Sequence, residues 1–137
     1  MFFKKKEKVN INSNFTEICA LLIHAAKIDE QFTEKEEKII KQTMLQIGVK
    51  NDHLDKLFNE AIEIEDNSNQ ILNFTKEVKN MKEENKIQII EALWRIIYSN
   101  KEADIYETSL MRRLGGLLYV DNKVMGNIKE KIKDENL

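Results

Sequence analysis

Apolar residues return every three or four positions along most of this chain, the spacing that places them on one face of an α-helix. A first helix is predicted after Ser13 or Asn14, both good caps, and runs to about Ile28. Its inward positions are Phe15, Ile18, Leu21, Leu22, Ala25 and Ile28. A second opens at Thr33, where Thr33-x-x-Glu36 reads as a capping box. It continues through Ile39, Ile40, Thr43, Met44 and Ile47 to Gly48, a left-handed stop with apolar Val49 beyond it. A third, from about Asp52 to Ile64, carries Leu54, Leu57, Phe58, Ala61 and Ile62. It closes in Glu63-Ile64-Glu65-Asp66, acids that lie unfavourably at a helix C-terminus.

Ser68 or Asn69 caps a predicted fourth helix, with Ile71, Leu72, Thr75, Val78 and Met81 inward. The fifth, about Lys82 to Ser99, is the most apolar, with Ile87, Ile90, Leu93, Trp94, Ile97 and Tyr98. A sixth begins at Asp104, where Asp104-x-x-Glu107 repeats the capping pattern, and runs through Leu110, Met111, Leu114 and Leu117. Gly115-Gly116 late in that helix invites close packing or a fraying end. Asp121 caps a seventh, Val124 to Ile132. No stretch alternates long enough for a strand, and no Asn-Gly hairpin turn occurs. The pattern therefore predicts one all-α domain over 1–137, a single compact bundle of about seven helices, with 1–13 poorly ordered or peripheral.

A related unit recurs about 71 positions along. Ala20 to Asp29 followed by Phe32 to Glu36 has its counterpart in Glu91 to Asn100 followed by Ala103 to Glu107. Each copy is an apolar helix, a polar corner and a second helix entered near a glutamate. Composition fits this picture: no proline and four glycines in 137 residues leave few helix breakers. A net charge of −2, with acids and bases interleaved, supplies no basic field for nucleic acid. Cys19 is alone, so no internal disulfide forms. No run approaches the ~20 apolar residues of a membrane span. Met1-Phe2-Phe3-Lys4-Lys5-Lys6 lacks the apolar core and cleavage site of a signal peptide, so the expected location is cytoplasmic.

The candidate chemistry gathers at the two corners. Glu36 is in register with the buried stripe of its helix, and Glu107 with that of its own. Asp29 and Asn100 end the preceding helices. If the two units pack about an approximate two-fold, Asp29, Glu36, Asn100 and Glu107 converge, with Thr33 and Asp104 in support. An all-oxygen set suits Ca²⁺ or Mg²⁺, whereas zinc recruits histidine or thiolate. The same residues also fit plain capping boxes, in which each glutamate only satisfies a backbone N–H. The corner does not follow the EF-hand pattern, since Asp29-Glu30-Gln31-Phe32-Thr33 lacks its alternating ligands and central glycine.

These residues resemble the tellurite-resistance TerB-like family, whose recurring element is an Asp-Gly after an apolar helix and a Glu seven positions past that Asp. Here Ala26-Lys27-Ile28-Asp29 and Glu36 stand in that pattern. Phe74-Thr75, Leu93-Trp94 and Leu110-x-Arg112-Arg113-Leu114 through Leu117-Leu118 are similar to it as well, over roughly 15–133. The resemblance implies a helical bundle with an acidic, cation-binding surface and a role in stress or metal-resistance systems linked to the membrane. It implies no known reaction. The family's glycine is Glu30 in one copy and Lys101 in the other, and the second acid is Asn100, so the first corner is the better cation site.

Elsewhere the chemistry is sparse. His24, His53 and Cys19 lack a zinc spacing and read as packing residues. Trp94 and Tyr98, four apart, read as core, and Arg112-Arg113 as a solvated pair. No phosphate loop or nucleophilic set is present, so neither an enzyme nor a required cofactor is expected. Two readings lead, a cation-binding domain acting on a protein partner in a system linked to the membrane, or a pure interaction module with a helical groove near Trp94 and Arg112-Arg113; a hydrolase built on the acidic corners is a minor third.

Overall fold

The computed structural model describes residues 15–28, 32–67, 72–99 and 105–135; side chains at 72 and 105–107 are also left undescribed. Among the described residues there are helices and turns but no strand. The helices are α1 (15–26), α2 (Glu34–Gln46), α3 (Asn51–Asp66), α4 (Leu72–Lys79), α5 (Glu83–Tyr98), α6 (Ile105–Leu117) and α7 (Asn122–Lys133). The all-α bundle expected from the sequence is thus the architecture found. Residues 1–13 and the caps proposed at Ser13, Asn14, Ser68 and Asn69 lie outside the described residues.

The expected one-sided face of α1 is corrected by the structure. Ile18 through Ile23 are all buried, as are Ala25 and Ala26, while Phe15 and Ile28 at the ends are only partly so. A helix apolar on every side must be covered on every side. Glu65 of α3 reaches its C-terminal end, Glu77 of α4 faces Glu17, and Ser109 and Leu110 of α6 wall a cavity with His24. Each fully buried Leu or Ile there contributes about 1.5–3 kcal/mol by leaving water. α5 forms the second inner helix, with Ile89, Ile90, Leu93, Ile96 and Ile97 almost wholly buried. It packs against α2, α4 and α7.

Helix ends follow local chemistry. At the C-terminus of α2 the Gly48 N–H donates to Leu45 O (3.2 Å) and the Val49 N–H to Met44 O (3.0 Å). This is the Schellman arrangement, and Gly48 takes the positive φ it requires, +121°. α6 ends the same way: Tyr119 N–H donates to Gly116 O (3.3 Å) and Val120 N–H to Gly115 O (3.0 Å). There the left-handed residue is Tyr119, with φ 58°. α2 and α6 each span 13 residues, and the starts of α6 and α7 follow those of α2 and α3 by the same interval; the expected repeat of helix, corner and helix is not otherwise seen among the described residues. The polar corners themselves, 29–31 and 100–104, lie outside the described residues.

α3 departs from expectation: it runs through the acidic stretch to Asp66 instead of ending at Ile64. At that end Glu65 turns inward, where Lys27, just after α1, and His24 of α1 meet its carboxylate. Of the two late glycines in α6, Gly115 serves close packing, since a Cβ there would sit 3.3 Å from Met125 Cγ of α7.

Candidate functional site

The first corner enters α2 through Thr33. Its backbone is extended (φ −94°, ψ 164°), the conformation an N-cap needs. Thr33 N–H donates to Glu36 Oε1 at 2.8 Å, Thr33 Oγ1–H to the same oxygen at 3.1 Å, and Glu36 N–H to Thr33 Oγ1 at 3.3 Å. The reciprocal box read from the sequence is therefore present. What spacing did not reveal is the depth of the carboxylate: Glu36 is only 1% exposed. Burying a carboxylate is costly unless donors and field compensate it. Two Thr33 donors and the positive end of α2 supply that compensation here. Phe32, just before the cap, packs edge-on against Phe58 of α3, with centroids 6.2 Å apart, and ties the corner to that helix.

On the approach side, Lys27 at the end of α1 is clamped by the last turn of α3. Its Nζ lies 2.6 Å from Glu65 Oε1 and 2.8 Å from Asp66 Oδ1, while His24 Nδ1 lies 3.2 Å from Glu65 Oε2. The hydrogen bond to Asp66, then that to Glu65, raises the Lys27 pKa above its ordinary value. Sequence reasoning missed this clamp. It took Glu65 as one of three terminal acids, although Glu65 falls four positions after Ala61, on the buried stripe of α3. Asp29, Asn100 and Asp104, with the Glu107 side chain, lie outside the described residues. Among those described, no three His, Cys, Asp or Glu side chains gather in a way that could hold a metal ion.

A second feature lies on the far side of α5. Trp94 (α5), Met111 and Arg112 (α6), and Met125, Gly126 and Lys129 (α7) line a groove of about 150 Å³. Trp94 is 4% exposed and stacks on Tyr98, with centroids 5.9 Å apart, so the core reading of this pair holds. Its indole Nε1–H is buried and meets no hydrogen-bond acceptor among the described residues. Lys129 Nζ stands 5.4 Å from the ring centroid, a cation–π contact. α7 is held along α5 by Arg95, which forks onto Glu135 at 3.0 and 2.9 Å, and by Lys131 on Glu91 at 2.6 Å. Arg112 and Arg113 are both exposed but diverge: Arg112 borders this groove, Arg113 the cavity beside His24 and Ile28.

The remaining reactive groups are quiet. Cys19 is fully buried, and burial pushes its thiol up to about 12, which removes the thiolate at neutral pH. Among the described residues, no helix is long and apolar enough to cross a membrane.

Among the described residues, five helices packed around two inner ones, with a capped first corner and a tryptophan-lined groove, define a small all-α domain. The chain belongs to the TerB family: the family model described as Tellurite resistance protein TerB matches residues 15–130. No curated protein and no solved structure matches it.

Proposed function

We propose that this TerB-family domain is non-enzymatic and acts by binding a divalent cation at its first acidic corner, and through it a protein partner in a stress or metal-resistance system. Asp29 and Glu36 are the direct ligands, Asn100 and Glu107 a weaker second set, and Thr33 and Asp104 the supporting caps. The observation that supports this reading is the buried Glu36 carboxylate, whose Oε1 accepts two hydrogen bonds from Thr33 at the start of α2. A pre-oriented oxygen ligand suits Ca²⁺ or Mg²⁺, which take carboxylate, carbonyl and water. Lys27, two positions before Asp29, already has its charge answered by Glu65 and Asp66, which lessens its repulsion of an incoming cation. Cation binding would neutralise the clustered acids and draw the helix ends together, altering the surface offered to a partner. No cofactor is required. The protein is proposed to work in the cytoplasm, with a partner that is membrane-associated.

Calorimetric titration of EDTA-stripped protein with Ca²⁺ and Mg²⁺ tests the site. Saturable heat that disappears in Asp29→Asn is the expected result. No heat from either ion at millimolar concentration would reduce the corner to a pair of helix caps.

A further inference from the structure

The chain enters and leaves the first corner in the grip of one helix. Before the corner, Lys27 Nζ lies 2.6 Å from Glu65 Oε1 and 2.8 Å from Asp66 Oδ1, in the last turn of α3. After it, the Phe32 ring meets Phe58 of α3 edge-on, with centroids 6.2 Å apart. Two turns into α2, Lys41 Nζ stands 4.9 Å over the same Phe58 ring and bridges Glu37 (3.0 Å) to Asp55 of α3 (3.2 Å). Phe58 and Glu65 are seven positions apart, so they share a face of α3 about 10 Å apart along its axis. Both are fixed by packing, at 3% and 8% exposed. An exposed ion pair would contribute little, but a carboxylate held this far from water is costly without its cation.

We infer that α3 is the positioning element of the cation site proposed at this corner, with Glu65 holding the incoming chain through Lys27 and Phe58 the outgoing chain through Phe32. The inference rests on that reading of the corner. Asp29 falls between the two anchors in the sequence, and Glu36 follows the second by four residues. A loop whose ends are already fixed loses less conformational freedom when its side chains close on an ion. α3 therefore takes on, during folding, an ordering cost that ion binding would otherwise meet. By linkage, a bound ion tightens both anchors in return. Glu65 and Phe58 act through the chain they hold and not on the ion.

Charge and position make opposite demands of Lys27, which gives the test its sign. Lys27→Met removes a positive charge and leaves the carboxylates of Glu65 and Asp66 unanswered, so charge alone would tighten binding of Ca²⁺ or Mg²⁺. Loss of the anchor should instead weaken it by about tenfold, the lower end of what losing a supporting contact does to metal affinity. Phe32→Ala changes no charge, alters a side chain that reaches solvent, and should weaken binding to a similar extent. Calorimetric titration of EDTA-stripped protein with Ca²⁺ and Mg²⁺, well below the melting temperature of each variant, reads the dissociation constant of the folded form. A contact that served stability only would lower the melting temperature of the stripped protein and leave that constant unchanged. Should Lys27→Met not fold, the Lys27→Met/Glu65→Gln double variant takes its place with the same expectation, since it keeps the net charge and replaces the pair with neutral groups. Binding that is unchanged or tighter without Lys27, or unchanged in Phe32→Ala, overturns the inference and leaves the cation site standing. No binding of either ion by the wild type removes the cation site itself, and the inference with it.

Discussion

Glu36 has one role in the structure, as a cap, and a second in the proposal, as a cation ligand. Its Oε1 closes the cap with Thr33, and its charge is what a cation would read. The roles separate by substitution, because glutamine also serves at the third position of a capping box. Thr33→Ala removes the cap and should cost about 1 kcal/mol of stability, read as a lower urea midpoint at unchanged slope. Glu36→Gln should retain most of that stability. Glu17 offers an independent residue-level test. Burial first, and then the charge and hydrogen bond of Glu77 across from it on α4, raise its pKa above the ordinary carboxylate value of 4.5. A carboxyl with a raised folded-state pKa binds its proton more readily folded than unfolded. Its cost is therefore absent below pH 4.5 and grows as pH rises through the folded pKa. Glu17→Gln should then be more stable than the wild type at pH 7 by about 0.5 kcal/mol, the scale of a partly exposed charge pair. The advantage should vanish in melts at pH 4. An advantage that persists at pH 4 would assign the gain to something other than charge.

Among the elements, α2 and α6 share a length and a terminator, yet they differ at the one position where backbone conformation is costly. Gly48 accepts its positive φ freely, whereas Tyr119 holds φ 58° with a side chain attached. The left-handed region costs a side-chain-bearing residue about 1–2 kcal/mol. Part of that is offset at Tyr119, because Lys79 Nζ stands 4.8 Å over its ring and such exposed contacts contribute about 0.5–1 kcal/mol. In a Lys79→Ala background, where the offset is gone, Tyr119→Gly should stabilise the domain by about 1 kcal/mol in denaturant titration. No gain would show that the second terminator is unstrained. The glycine stop of α2 was legible in the sequence because Gly followed by an apolar residue is a local signal. The stop of α6 was not, since nothing in Leu118-Tyr119-Val120 marks a left-handed residue. Helix existence was legible throughout, from the three-and-four spacing and the caps at Thr33 and Asp121. α3 closes in the acidic stretch as read, but two residues past Ile64, because charge at a C-terminus was weighed without Lys27, which folds against Glu65 and Asp66.

At the scale of the whole molecule, what sequence reading lacked was knowledge of which helices surround which. The unbroken apolar run Cys19 to Ile23 already signalled a helix covered on all sides, although periodicity alone suggested one face. The Trp94 groove gave no comparable signal. Its walls come from three helices, and an unmet indole N–H exists only once neighbours have closed around it. The TerB family match spans 15–130 and so takes in both the first corner and the Trp94 groove, which draw on separate residues. The central claim concerns the corner. Thermal unfolding of EDTA-stripped protein, with and without millimolar Ca²⁺, Mg²⁺, Mn²⁺ or Zn²⁺ and beside Glu36→Gln, tests it most directly. An ion that binds only the folded state, at ~100 times its dissociation constant, adds about 2.7 kcal/mol and raises the melting temperature. The account predicts that rise in wild type with Ca²⁺ or Mg²⁺ and its loss in Glu36→Gln. A wild type whose melting temperature no ion moves, or a variant that responds as the wild type does, would contradict it.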